Sequence, residues 1–345
     1  MISFGYFGDG PWSHRALQTL LADDRFRLAF VVARSSRDEP TLRTFAEAAG
    51  VPFLRPDNVN GDAFLEAVAP LAADLFVSMS YDQIFRGRLI RLPRLGVVNC
   101  HAGALPRYRG RNVLNWAIIN GEDHFGVSVH YIDEGIDTGD LIAQRRVGIA
   151  PEDTYLEVLE KAFPACAETL HAALVDIAED RVTRTPQSGT GFYCGMRRDG
   201  DEWLEWTWPS KRVHDFIRGV APPAPGARTA LQPSIVQPSA LQSSAGDVQV
   251  ALLRSRLVPG APSYYGTPGE VIGVNARGVV VKTGDAYLEV HEVAQVAGDG
   301  SLGEVKRPRY RVGSRFHPSV TEYRLAKMQR ELDVLRSHPE PVEAR

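Results

Sequence analysis

Asn99 and His101 stand two residues apart at the end of an apolar run, Gly96-Val97-Val98. Side chains two apart on a strand share a face, so this spacing projects an amide and an imidazole together. Downstream, Glu134-Gly135-Ile136-Asp137-Thr138-Gly139-Asp140 reads as an acidic turn able to return a carboxylate to the same cleft. The amide can donate to a developing oxyanion, the imidazole can move a proton, and the carboxylate can orient or charge-balance the imidazole. Singly, each residue has a plainer reading: a structural hydrogen-bonder, a common turn. Asp-Thr-Gly also occurs in aspartic proteases, but those need two such motifs in an all-β frame. Gathered at one cleft, Asn99, His101 and Asp137 form a catalytic set. Tyr108, Arg109, Gly110 and Arg111 lie between them as a loop with donors for an anionic or polar ligand.

Such a set has to be held by strands. Apolar runs at 2–7, 26–33, 51–54, 74–79 and 96–100 read as strands, with helices over 16–21, 41–49 and 62–69 between them. Asp62 suits an N-cap, and Pro70 stands just past that helix. Strands alternating with helices predict an α/β fold, a doubly wound, mostly parallel Rossmann-like sheet. Ligands of such sheets sit outside the carboxyl ends of the strands. Gly8-Asp9-Gly10-Pro11 reads as a turn rather than a dinucleotide fingerprint, because Ser13 stands where the third glycine is needed. A catalytic domain is expected over 1–200.

A small β-barrel-like domain is expected over 201–316, with strands near 248–253, 270–274, 278–283, 286–293 and 310–316. A Pro/Ser/Gln-rich insertion is expected at 222–246. The tail, 317–345, carries Leu325, Met328, Leu332 and Leu335 at helical spacing, read as a helix packed on the body.

The 345 residues carry a net charge of −3, against a protein whose main task is binding polyanions. No uncharged apolar run approaches the ~18 residues of a membrane span, and MISFGYFGDG lacks the pattern of a signal peptide. A cytoplasmic enzyme is the expectation. Cys100, Cys166 and Cys194 are too few and scattered for a disulfide framework or a zinc site, so buried, inert thiols and no metal are expected.

The order N-x-H-x-x-x-L-P-x-Y-R-G, N-W-A-I-x-N-G, G-V-S-V-H and D-T-G-D resembles the formyltransferase family that uses 10-formyltetrahydrofolate. The likeness covers most of residues 1–316. It implies transfer of a formyl group from the folate N10 to an amine, with Asn99, His101 and Asp137 as the catalytic trio and no metal. It places the folate near Met79, Tyr81, Gln83, Ile84 and Phe85, with Asp140 also on that side, and reads the pterin largely through backbone groups. The family usually writes H-x-S-L-L-P where this chain has His101-Ala102-Gly103-Ala104-Leu105-Pro106, so a hydroxyl and apolar bulk are missing beside the site.

Three acceptors compete. Methionyl-tRNA enzymes of the family carry a longer basic loop after the second strand, whereas residues 33–40 here are short and nearly balanced in charge. A sugar nucleotide bearing an amine suits Tyr108, Arg109, Arg111 and Trp116, the two arginines meeting a diphosphate, although pinning the loop is an equal reading for them. A small amine such as N5-hydroxyornithine is the third. Hydrolysis of the formylfolate and a silent binding scaffold are the alternatives of other classes. The expectation is an amino-sugar nucleotide as partner, without membrane or nucleic acid, and a homodimer is the assembly it allows.

Overall fold

The computed structural model describes residues 1–232 and 248–337. They divide into two compact units, one comprising Met1–Ala117, Asp123–Ala150 and Glu157–Met196, the other Ile118–Glu122, Pro151–Leu156 and the chain from Arg197 onward.

The first unit runs β1 (Ile2–Gly8), α1 (Gly10–Leu21), β2 (Phe26–Val32), α2 (Pro40–Ala48), β3 (Phe53–Leu54), α3 (Asp62–Val68), β4 (Leu75–Met79), α4 (Gly87–Ile90), β5 (Val97–His101), β6 (Arg109–Gly110), α5 (Val113–Ile119), β7 (His124–Tyr131), β8 (Leu141–Gly148), α6 (Tyr155–Ala178) and β9 (Tyr193–Cys194). The last residues of α5 and the first two of α6 belong to the second unit. The main sheet has the order β3-β2-β1-β4-β5-β7-β8. Its first five strands are parallel, and β7 and β8 are antiparallel additions. The parallel strands read as continuous apolar runs because both sheet faces are covered, and all seven residues of β1 are buried. Phe7, Phe30, Phe64, Phe76 and Phe85 fill one face with mostly edge-to-face ring contacts.

Two local expectations change. Helix α1 begins at Gly10 itself, with Asp9 in the capping position and Pro11 in the first turn, where a missing N–H removes no helical bond. Helix α3 is preceded by Gly61, and Asp62 is its first residue rather than its cap.

In the second unit, α7 (Ser210–Gly219) precedes β10 (Ala227–Leu231), β11 (Val248–Leu257), β12 (Val271–Val274), β13 (Val279–Lys282), β14 (Tyr287–Gln295) and α8 (Val320–Ser337). The strands form an antiparallel sheet, β10-β11-β14-β13-β12. Its core centres on Trp206, stacked on Phe316 with ring centroids 5.3 Å apart. The 310–316 segment is not a strand: Pro308 and Gly313, with φ +86°, break it. It gives two isolated bridges instead, Phe316 to Leu231 and Arg315 to Glu270, which join the two edges of the sheet in the manner of a barrel.

The insertion is narrower than 222–246. Residues 227–231 form β10, paired throughout with β11, because Ala227, Thr229 and Ala230 are small and buried. Residues 222–226 form the turn before β10, and 233–246 lie outside the described residues. Helix α8 is also corrected. Leu325, Met328 and Leu332 face solvent, at 61%, 58% and 46% exposure, so the apolar stripe is not what holds the helix. Its first turn is the anchor: Tyr323 stacks on Trp203 and accepts a hydrogen bond from Gln249. The side chain of Leu335 lies outside the described residues.

Candidate active site

Strand β5 ends in Asn99-Cys100-His101 and pairs antiparallel with β7, so that Asn99 faces His130 and His101 faces Ser128 across the ladder. Four polar side chains therefore share one end of the sheet. His130 Nδ1 lies 2.8 Å from the Tyr131 carbonyl, which can only accept, so Nδ1 carries the ring proton. In the neutral ring Nε2 then accepts from Asn99 Nδ2 at 3.3 Å. His101 is arranged the other way: its Nε2 donates to the Tyr108 carbonyl at 2.6 Å. That leaves Nδ1 as the basic nitrogen, facing Asp137 Oδ2 at 3.8 Å.

Asp137 closes the set. Its Oδ2 accepts the Gly110 N–H at 2.8 Å, and its Oδ1 lies 3.5 Å from His130 Nε2. Burial pushes its carboxyl pKa up, but the positive charge of His101 and His130 when these rings are protonated, with the Gly110 N–H, outweighs that and holds it well below the usual carboxylate range. As an anion Asp137 can balance a positive charge on His101 Nδ1, 3.8 Å away. Its backbone has φ +53°, a left-handed conformation that a non-glycine residue keeps only when its surroundings enforce it.

The departure at Gly103 has a steric counterpart. A Cβ on Gly103 would overlap both His101 Nε2 and the Tyr108 carbonyl, so only glycine fits beneath their hydrogen bond. A hydroxyl from the neighbouring strand also stands here: Ser128 Oγ donates to the Gly103 carbonyl at 2.6 Å and accepts from Gln144 Nε2 at 2.9 Å.

The residues expected on the folate side form one connected segment from the last residue of β4 onward, apart from Asp140. Met79 and Phe85 are buried, and the Phe85 ring packs 4.8 Å from Phe7. Tyr81 is half-buried against the same ring. Gln83 is turned inward, donating to the Pro56 carbonyl and accepting from the Val59 N–H. Gln83 and Phe85 thus shape the segment, while Ile84 is exposed. Asp140 precedes β8, and its carbonyl accepts the Tyr131 N–H.

Of the residues expected to meet the acceptor, Tyr108 is buried against Phe192 at 4.7 Å. Arg109 donates to Gln187 at 2.8 Å. Arg111 is exposed and donates to the Asp82 carbonyl at 3.0 Å, tying this loop to the segment after β4. Trp116 Nε1 donates to the Gly195 carbonyl at 3.1 Å. Both arginines therefore pin the loop. Exposed Tyr193 and Met196 stand on the adjoining segment, with Met196 Sδ 3.7 Å from Arg111. The three cysteines are buried free thiols.

His130, Ser128 and Gln187 were not singled out from the sequence. For the first two a signal existed: in Val127-Ser128-Val129-His130 the polar residues alternate with apolar ones, the same two-residue spacing as Asn99 and His101. Gln187 has no comparable mark.

An amide donor, two imidazoles and a buried anion at the strand ends of an α/β sheet are the equipment of a group-transfer enzyme. Residues 27–174 match the formyl transferase model, and residues 198–300 match the formyl transferase C-terminal domain. A methionyl-tRNA formyltransferase of Synechococcus sp. (strain JA-3-3Ab) is 32% identical over 326 residues, 90% of this chain and 97% of the relative. The chain belongs to the formyl transferase family and is an enzyme of that kind. Among solved structures, the sugar 3N-formyl transferase WlaRD, in the presence of dTDP and 5-N-formyl-THF, matches with TM-score 0.59 and 19% identity, over 84% of this chain and 97% of that one. The N-formyltransferase from Helicobacter canadensis, in complex with folinic acid and dTDP-3-aminofucose, gives 0.56 and 19%, over 84% and 99%. At these identities the likeness is one of fold.

Proposed function

We propose that this enzyme carries the formyl group of 10-formyltetrahydrofolate, its cosubstrate, to the amine of a nucleotide-linked sugar. The amine lone pair attacks the formyl carbon, and negative charge grows on the formyl oxygen. Asn99 donates one Nδ2–H to that oxygen while its other N–H is held by His130. The C–N10 bond then breaks. The proton lost by the attacking nitrogen passes by way of His101 to N10, so charge balances overall. With Nε2 tied to Tyr108, the proton arrives on His101 Nδ1, where Asp137 stabilises the imidazolium.

The acceptor rests on one observation. The connection between β2 and α2 is neutralised within the protein. Arg34 and Arg37 both pair with the buried Asp9, at 3.1 and 2.5 Å. Glu39 accepts the Gly10 N–H and meets His14. A basic arm for a polyanion needs several cations without carboxylate partners, whereas both arginines of this connection share Asp9, Arg34 largely covered and Arg37 53% exposed. Arg111 beside exposed Tyr193 and Met196 suits the smaller anion and base of a nucleotide. A second reading, methionyl-tRNA, has the methionyl-tRNA formyltransferases of Synechococcus, at 32% and 30% identity, behind it.

The test is a competition among dTDP-, UDP- and GDP-linked amino sugars, N5-hydroxyornithine and methionyl-tRNA, read as amine-dependent release of tetrahydrofolate. Preferential turnover of an amino-sugar nucleotide is expected. Turnover of methionyl-tRNA or hydroxyornithine alone overturns the acceptor, and release without any amine marks a hydrolase.

A further inference from the structure

We propose that Gln187 is a positioning residue for Asp137, one that also ties the acid turn to Arg109. The proposal rests on reading Asp137 as part of the catalytic set. Gln187 lies about fifty residues beyond the turn, yet its amide makes three directed bonds there. Nε2 donates to the Asp137 carbonyl at 2.9 Å and to the Gly139 carbonyl at 2.8 Å. Oε1 accepts from Arg109 Nη2 at 2.8 Å. The orientation is set by chemistry, because two carbonyls require two N–H donors and a guanidinium requires an acceptor.

Asp137 sits in its left-handed conformation between two sets of restraints. One holds its side chain: Gly110 N–H, with His101 and His130 facing the carboxylate. The other holds its backbone: Gln187 grips the carbonyls on either side of Thr138, and Asp133 accepts from the Thr138 hydroxyl. Gly110 follows Arg109 in β6, so Gln187 fixes both ends of the carboxylate's shortest hydrogen bond. One end is the turn that carries the acceptor oxygen. The other is the arginine next to the donor. Sub-ångström placement of that anion decides how strongly it stabilises charge on His101.

Gln187→Glu separates the two grips. A carboxylate keeps the Arg109 contact with one oxygen but sets its other oxygen against the two carbonyls, so it cannot hold the turn. Gln187→Ala loses both. The first readout needs no acceptor: the Asp137 carboxyl is followed by 13C NMR during acid titration, with thermal unfolding as the check on folding. Wild type should keep the carboxyl ionised well below the ordinary range, while both variants should titrate at higher pH. The second readout is kinetic, with UDP-4-amino-4-deoxy-arabinose as the amine. Both variants should lose ~10–100-fold in kcat, and the glutamate variant should keep the KM of the sugar nucleotide better than the alanine variant does. A folded Gln187→Ala protein whose Asp137 titrates as in wild type overturns the proposal. So does a Gln187→Glu protein that holds Asp137 as wild type does. If wild type ignores the sugar nucleotide while Asp137 moves in both variants, the acceptor fails and the positioning role stands.

Discussion

His130→Ala is expected to slow catalysis through Asn99 rather than through a proton of its own. The substitution removes an acceptor 3.3 Å from Asn99 Nδ2 and an imidazole 3.5 Å from Asp137. A neutral hydrogen bond contributes about 0.5–1.5 kcal/mol net. At about 1.4 kcal/mol per factor of ten, releasing the amide slows turnover ~2–10-fold. Deleting the donor itself, in Asn99→Ala, should lower kcat by ~10²–10³. The double variant should then be no slower than Asn99→Ala, because no amide remains for His130 to hold. The assay is initial-rate release of tetrahydrofolate at saturating amine, well below the unfolding temperature, since burying the Tyr131 carbonyl without its donor should destabilise the fold by about 1–3 kcal/mol. Multiplicative losses in the double variant would refute the reasoning. A single His130→Ala variant as slow as Asn99→Ala would do the same, by making His130 a participant in its own right.

Gly103→Ala should lower kcat ~10-fold or more and destabilise the protein by about 1–3 kcal/mol, since the added methyl displaces either His101 or the Tyr108 carbonyl; urea unfolding and turnover measured together test it. Asp137→Asn should narrow the stability gap to wild type in acid. A carboxyl whose folded pKa is depressed contributes stability above its unfolded value of ~3.9, and that contribution is lost as pH falls through the folded value. Chemical unfolding at neutral pH and below pH 3 reads it. His214 is buried between the Pro151 carbonyl and Ser255, and burial is the main cause that lowers its pKa. Protons favour its unfolded form, so stability should rise as pH climbs from the folded value to ~6.5, and His214→Gln should flatten that slope.

The strand-end pair Asn99 and His101 was legible because it depends on a two-residue period within one strand. The acid turn was legible as a turn, and its arrival beside His101 follows from β7 and β8 extending the same sheet. His130 escaped because its role lies in the register of β5 against β7, a pairing between residues 31 apart. Gln187 escaped for the same kind of reason, as a lone amide in an irregular stretch. Composition showed a polar, proline-rich stretch but not where β10 ends, because Ala227-Arg228-Thr229-Ala230 has no apolar signature of its own. The stripe on α8 was real in spacing, yet spacing says only that residues share a face. The charges of residues 33–40 are nearly balanced in the sequence, but that both arginines meet Asp9, distant in the first loop, is a fact of packing.

The antiparallel ladder between β5 and β7 also bears on how such an enzyme can change over evolutionary time. Asn99, His101, Ser128 and His130 are locked to one another by backbone pairing, and the chain between them leaves that ladder and returns to it. Lengthening a connection whose ends are already joined adds only ~0.6 kcal/mol per doubling. The part of that connection beyond Gly110 can therefore drift in length and chemistry while the strand-end side chains stay in register, whereas Tyr108 and Gly110, which meet His101 and Asp137, cannot. Change at one rim of the sheet need not disturb the strand-end geometry, so the ladder separates a fixed set of side chains from a connection free to vary.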